Sequence, residues 1–449
     1  MNSTTDILKQ DAHLIQSFAD LNALKEQGAR TVINRAEGAY VYDNDGQKMI
    51  DGIAGLWCVN IGHGRQEMVD AIADQLKQLD YYSTFYNFTH PTAAALAEKV
   101  ADLAPGDLNA VYFANSGSVA NDTAIRMLHH YNIRKGKPEK NKVLSRHGAY
   151  HGSTHLSMAL TTPAYSEGWH CASELVHHLR APHHWREGDG MTEAEFLDAL
   201  AEDLTQSIEH LGAENICAFI AEPIQGAGGV IAAPAGYHRR MQDICRANEI
   251  KFVADEVVTA FGRLGHFFAS EAVFDTTPDI ICTAKGLTSG YQPMSATIVT
   301  DEIHDVISGP GGMFLHGMTY SGHPAASAAA LTNIAIMERE QIPERVRTTG
   351  AYFEKLMRGL MDIELVGEVR GSHFMIGIEF VMDRATKASH PPEAEVGLKV
   401  ARACQKRGLI ARPLGNVLIL SPTLIMDEPM IDEIEAILRD AIEEVAAGL

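Results

Sequence analysis

Apolar and polar positions fall into three regimes along this chain. The first stretch, about 30 residues, reads as an amphipathic arm with Leu8, Leu14, Ile15, Phe18, Leu21 and Leu24 as its apolar positions. A strand-like meander follows: EGAYVYDNDGQKMIDGIAG alternates apolar with polar and turns at Asn44-Asp45-Gly46. From residue 65 the period changes. Helical stretches such as QEMVDAIADQLKQL and AAALAEKVADLA alternate with the short apolar runs NAVYFA, KVLSR, ICAFIAEP, IKFVADE, DIICTA and SATIVT. Strands that alternate with helices predict a mainly parallel, doubly wound sheet. After residue 325 come a long helix (AASAAALTNIAIMER), strand-like segments and a hairpin-like pair in GLIARPLGNVLILSP. The pattern predicts an α/β chain. A large domain spans 65–324, and a smaller α+β domain is built from both ends, 1–64 and 325–449.

Composition narrows the class. A length of 449 residues allows about three domains. The pattern reduces that to two. With 46% hydrophobic and 21% charged residues the chain can bury a large core. The 58 acidic and 37 basic residues give a net charge of −21, which argues against nucleic acid or an anionic membrane as partner. Six cysteines are scattered without a CxxC, and most sit in apolar runs, as reduced core thiols of a cytoplasmic protein do. The start, MNSTTDILKQDAHLIQSF, has no apolar signal region, and no uncharged apolar run reaches 18 residues.

Ligands in open α/β sheets bind beyond the carboxyl ends of the strands. Three of those ends carry chemistry here. Asn115-Ser116-Gly117-Ser118 joins a strand to a helix, where free N–H groups and the helix dipole suit an anion, although Ser118 would equally serve as an ordinary N-cap. Lys285 ends an apolar strand; burial would lower its pKa and make it a nucleophile, and a snorkelling lysine is the plain alternative. Asp255 ends another apolar strand and needs a buried cationic partner, or else serves as a cap or structural ion pair. Together the three match the anchors of pyridoxal 5'-phosphate (PLP): a phosphate cradle, an amine for the aldehyde and a carboxylate for the pyridine nitrogen. His147, His151 and His155 recur every four residues, but Gly148 and Gly152 interrupt them and no acidic or cysteine set accompanies them, so no metal site is read. His177-His178 and His183-His184 read as a solvated, histidine-rich loop.

Seven motifs in order carry a resemblance. They are AGLWCVNIGHG (54–64), YFANSGSVANDT (112–123), GAYHGST (148–154), IAEPIQGAGG (220–229), FVADEVVTAFGRLG (252–265), TAKGLTSGYQP (283–293) and HGMTYSGHP (316–324). The chain resembles the class III, fold-type I PLP-dependent aminotransferases, and among them the ω-amino acid or amine:pyruvate group. The resemblance implies a PLP ping-pong transfer through a Lys285 internal aldimine. It implies Asp255 on the pyridine nitrogen and Glu222 near cofactor and substrate. Ser116, Gly117, Ser118 and His151 would join the cofactor site, with Tyr150 on one ring face and Val257 on the other. Thr319 would reach the phosphate of a neighbouring subunit, which implies a homodimer or a tetramer. Leu56, Trp57, Phe85 and Tyr150 would line the substrate pockets, with Phe18 of the arm able to reach them, and Arg412 would receive the oxo-acid carboxylate. The partners implied are a small amine donor and pyruvate. A 2-oxoglutarate-dependent acetylornithine- or GABA-type enzyme of the same fold is the alternative. Two positions depart from the family pattern: Val119 stands where a glutamate is usual, and Pro413 stiffens the turn after Arg412.

Overall fold

The computed structural model describes residues 3–27, 30–188 and 190–449. Seven strands form the central sheet: β1 (Ala110–Ala114), β2 (Lys142–Arg146), β3 (Val176–Leu179), β4 (Ile216–Ala221), β5 (Lys251–Asp255), β6 (Ile280–Thr283) and β7 (Ser295–Val299). Their order is β1-β7-β6-β5-β4-β2-β3. β7 is antiparallel to both β1 and β6; the other four pairings are parallel. The expected mainly parallel sheet is therefore present, with one reversed strand.

Double winding explains why the apolar runs lack alternation. All six residues of β4 are buried, as in a sheet covered on both faces. Alternate residues feed two separate cores. Val143, Ile220 and Val253 pack with the helix Gly117–Arg134. Their neighbours Leu144, Phe219 and Phe252 pack with the helices Glu193–Leu211 and Tyr237–Ala247.

The two chain ends meet as the pattern suggests. The meander forms strands Ile33–Glu37, Tyr40–Asp43 and Lys48–Asp51, and the last pairs in parallel with Leu409–Ile410. A second sheet orders Val366–Ser372, Met375–Asp383, Val417–Leu420 and Arg412–Leu414, all antiparallel. The helix Pro324–Arg339 packs on Gln66–Gln78 and Pro91–Leu103. Among the described residues no helix is long and apolar enough to cross a membrane. All six cysteines are free.

The solvated histidine loop is a correction. His177 and His178 lie within β3, and His183 is buried with its Nε2 2.9 Å from Glu368 Oε2. Residues 176–179 are a short edge strand with only Leu179 fully buried, so no apolar run announced it. The N-terminal arm forms helices Thr4–Asp11 and Leu21–Gln27, while Leu14 and Ile15 between them stay exposed.

Phe219 is wholly buried and meets Phe252 edge-on at 5.7 Å. Phe219→Ala should cost about 3–5 kcal/mol, read as a lower urea midpoint in an otherwise folded protein; an unchanged midpoint would contradict this packing.

Candidate active site

The carboxyl ends of β1, β4, β5 and β6 open into one cavity of about 670 Å³. Asp255 closes β5 and is 3% exposed. Its Oδ2 accepts from Asn121 Nδ2 at 2.8 Å and faces His151 Nδ1 at 2.7 Å, and its Oδ1 accepts from the Val257 N–H at 3.1 Å. A buried carboxylate is thus fully engaged by three elements, as its desolvation requires. Asn121 is a functional position the sequence reading missed. Its signal was available: it lies one helical turn beyond Ser118, on the same face.

Lys285 follows β6 at the start of a 3₁₀ turn and holds a φ of +34°. A left-handed backbone at a non-glycine residue costs of order 1–3 kcal/mol and clusters at functional sites. The next residue must be glycine: a Cβ on Gly286 would lie 2.4 Å from Asn60 Nδ2. Asn60 cannot retreat, because that nitrogen donates to the Phe261 carbonyl at 2.6 Å and its Oδ1 accepts from Arg263 at 2.7 Å. Lys285 lines the cavity, and among the described residues its amine has no hydrogen-bond or ion-pair partner. Burial pushes its pKa down; Cys58, Asp255 and Glu222 pull it back up, and Arg412 lowers it again.

Ser116 caps the helix Gly117–Arg134 by accepting from the Val119 N–H at 3.3 Å. Ser118, the alternative cap, instead accepts from the Ser153 N–H at 3.2 Å. A Cβ on Gly117 would lie 2.9 Å from both Val257 methyls, so glycine is what lets Val257 pack against this helix N-terminus, which lines the cavity through Ser116, Gly117 and Ser118. Glu222 follows β4. Its carboxylate accepts from the Tyr150 N–H at 2.9 Å and the Gly226 N–H at 2.8 Å. Burial, and then Asp255, push its pKa up against the pull of His151 and these donors.

The outer wall is aromatic. Phe18 of the arm meets Tyr150 at 6.0 Å and Tyr165 at 6.1 Å, and Tyr150 meets Tyr165 at 5.7 Å, all edge-on. Leu56 and Trp57 lie beside them. Trp57 is 3% exposed and has a φ of +65°. Tyr165, Cys58, Thr288 and Gln292 also line the cavity and were absent from the sequence reading. Arg412 enters from Arg412–Leu414, and among the described residues its guanidinium has neither hydrogen bond nor ion pair.

Phe85 and Thr319 do not line this cavity. They lie in neighbouring segments: the Tyr81 hydroxyl donates to the Thr319 carbonyl at 2.6 Å, Thr84 donates to the Ser321 carbonyl at 3.2 Å, and the Phe85 ring sits against Gly317. Tyr86 and Leu315 of the same segments are 92% and 80% exposed.

The chain matches the class-III aminotransferase family over residues 23–442. It belongs to that family. The enzyme is a PLP-dependent transaminase, with an amine donor and an oxo-acid acceptor as substrates. Among its relatives is putrescine--pyruvate aminotransferase of Pseudomonas aeruginosa, 42% identical over 445 residues, which cover 98% of this chain and 96% of that protein. The mitochondrial gamma-aminobutyrate transaminase 1 of rice (Oryza sativa subsp. japonica) is 40% identical over 418 residues, 92% of this chain and 81% of that protein. Among solved structures, a thermostable (S)-enantioselective omega-transaminase from Thermomicrobium roseum superposes with a TM-score of 0.97, 37% identity and 99% of each chain covered. The PMP-bound form of an aminotransferase from Vibrio fluvialis superposes with a TM-score of 0.94 and 34% identity, over all of this chain and 99% of that one.

Behind the transaminase site, burial holds two histidines neutral. The pKa of His178 falls from 6.5 to about 4 and that of His238 to about 3. The unfolded chain therefore takes up these protons at a higher pH than the folded one, so stability falls as pH drops from about 6.5 towards 4. His178→Gln should flatten that slope while keeping a donor for the Thr161 carbonyl, now 3.1 Å from Nε2. Urea midpoints at pH 7 and pH 5 measure it, and an unchanged difference between them would count against this assignment.

Proposed function

We propose that this transaminase moves an amino group from an amine or ω-amino acid to pyruvate, using the cavity around Lys285 as a PLP site. The observation that carries the reading is the sharing of one aromatic-walled space by an unpaired, partly desolvated lysine and an unpaired arginine.

The donor set fits PLP. The helix N-terminus at Gly117, which lines the cavity, suits a phosphate, whose charge the dipole and free N–H groups would stabilise. Ser116 and Ser118 flank it, and His151 holds Asp255 from behind. Tyr150 and Val257 both line the space, which supports assigning them to the two faces of the ring. When bound, the cofactor supplies an electron sink for the substrate carbon. Lys285 would hold the cofactor through its amine, and its Nζ would hold and move the proton of the substrate carbon. Asp255 would pair with the cofactor's ring nitrogen, and its orientation is set by Asn121 and His151.

Arg412 receives the carboxylate of the oxo acid; its fork geometry suits two parallel hydrogen bonds. Leu56, Trp57, Tyr150 and Phe18 give the amine an apolar wall. Phe85 and Thr319 belong to a homodimer in this reading. Their exposed, aromatic-rich surface supports a contact with a second copy, which would carry Thr319 to that copy's phosphate and Phe85 to its substrate pocket. Residues 65–324 would hold the cofactor and give Tyr150 and Tyr165 to the wall, while 1–64 supply Phe18, Leu56 and Trp57 and 325–449 supply Arg412.

Lys285→Ala should abolish turnover and the visible cofactor band; persistence of both would refute the lysine assignment. Arg412→Ala should lower kcat/KM for pyruvate at least 100-fold, about 2.7 kcal/mol, while amines still bleach the cofactor band. Unchanged pyruvate kinetics would remove Arg412 from the site. A panel of putrescine, β-alanine, γ-aminobutyrate and 1-phenylethylamine against pyruvate and 2-oxoglutarate tests the specificity. Preference for 2-oxoglutarate would favour the GABA-type alternative.

A further inference from the structure

A second polar cavity, about 330 Å³, lies at the opposite edge of the central sheet. Lys251 opens β5 there, and the helix Gly117–Arg134 ends beside it. β5 thus runs from this cavity to Asp255 in the other one, four residue steps or about 13 Å. The helix likewise has its N-terminus at the Lys285 cavity and its last turn here.

The charge balance of this cavity is unusual for a chain of net charge −21. Lys135, Lys137, Lys140, Arg246 and Lys251 line it against Glu249, Asp279 and Glu302, so five cations face three carboxylates. Three of the five are paired. Lys137 meets Glu249 at 2.8 Å, Lys251 meets Asp279 at 2.9 Å and Glu302 at 2.7 Å, and Lys135 lies 3.8 Å from Glu302. Lys140 and Arg246 have no carboxylate partner among the described residues.

Lys140 is 5% exposed, and among the described residues its ammonium has a single hydrogen-bond partner, the Ala213 carbonyl at 2.8 Å. Burial, and then the neighbouring Lys137, push its pKa down against the weaker pull of Glu249, Cys217 and Glu214. A buried ammonium with donors left over is costly, and an anion within reach would relieve that cost. Arg246 is exposed at the rim with its whole guanidinium fork free. An adjoining space of about 570 Å³ shares Lys137, Lys140 and Glu249, carries Glu139 and Glu214 as well, and leads out to solvent-exposed chain, so the unmatched positive charge is confined to the side of Lys140 that faces Arg246's cavity.

We propose that this cavity binds a small multivalent oxyanion of the phosphate class, inorganic polyphosphate or a phosphate ester, at a site separate from the catalytic one. Two unmatched cations call for more than one negative charge. A monovalent ion would be held weakly, because solvent screens an exposed pair.

Isothermal titration of the PLP-saturated enzyme tests this, with inorganic pyrophosphate and glycerol 3-phosphate as probes and sodium chloride at matched ionic strength as control. Saturable binding without change in the visible cofactor band is expected, and the tighter probe distinguishes the two sources. Lys140→Met and Arg246→Ala should each weaken that binding at least tenfold, and the double variant should abolish it. If Lys140→Met does not fold, the exposed Arg246→Ala carries the test. Absence of binding at millimolar probe, equal binding in Arg246→Ala, or binding only with loss of the cofactor band would overturn the proposal.

Discussion

Burying the charge of Asp255 is the constraint on which the rest of this site depends. A carboxylate that is 3% exposed must be met by donors, and they come from three separate elements. Asn121 stands on the helix Gly117–Arg134, His151 on the loop after β2, and the Val257 N–H on the segment after β5. Satisfying one buried group therefore fixes the helix N-terminus and the Tyr150 loop relative to the strand. Glu222 repeats the device on the next strand, binding the Tyr150 and Gly226 N–H groups. Two carboxylates so held give a firm floor, and Lys285, just after the neighbouring strand, has no hydrogen-bond or ion-pair partner there among the described residues.

Electrostatics at the two sheet edges follow from the same topology. Parallel strands place helix N-termini at one edge and helix C-termini at the other. The dipole serves an anion at the first edge. At the second it is unfavourable, and side-chain cations would have to supply the potential there. Lys135, Lys140, Arg246 and Lys251 are cations of that kind. A global charge of −21 conceals both places, because solvent screening within about 10 Å makes the local arrangement decisive.

Much of this was legible in the sequence because the chemistry sits at strand ends. Lys285, Asp255 and Glu222 each terminate a continuous apolar run, and such runs were visible without any knowledge of contacts. β3 was not legible, since an edge strand of four residues with two histidines has little to bury. His183 was misread for a related reason: its partner Glu368, and the Arg370 that ties Glu368 to Glu379, are almost 200 residues away, and only the fold turns those charges into a buried cluster. Tyr165 was silent because a phenol on an ordinary segment acquires meaning only from what it faces, whereas Asn121 could have been found from its place one helical turn beyond Ser118. Phe85 and Thr319 were legible as motif positions, yet in a single chain they pack on each other's segments and away from the cavity.

Arg412 and Lys285 pose the last physical question, since two cations share a cavity with no carboxylate free between them. Burial lowers the pKa of Lys285 against the pull of Cys58, Asp255 and Glu222, and Arg412 adds the smallest contribution, in the same direction as burial. Both push the lysine towards the neutral amine that a nucleophile requires. In the proposed reading an incoming oxo-acid carboxylate pairs with Arg412 and cancels its field at Lys285. The lysine then holds its proton more firmly while the acceptor is bound, and releases it more easily when an apolar amine occupies the same space. An arginine with no partner among the described residues would thus do two jobs in that reading. It would select the acceptor by its carboxylate, and it would change the basicity of Lys285 according to which substrate is present.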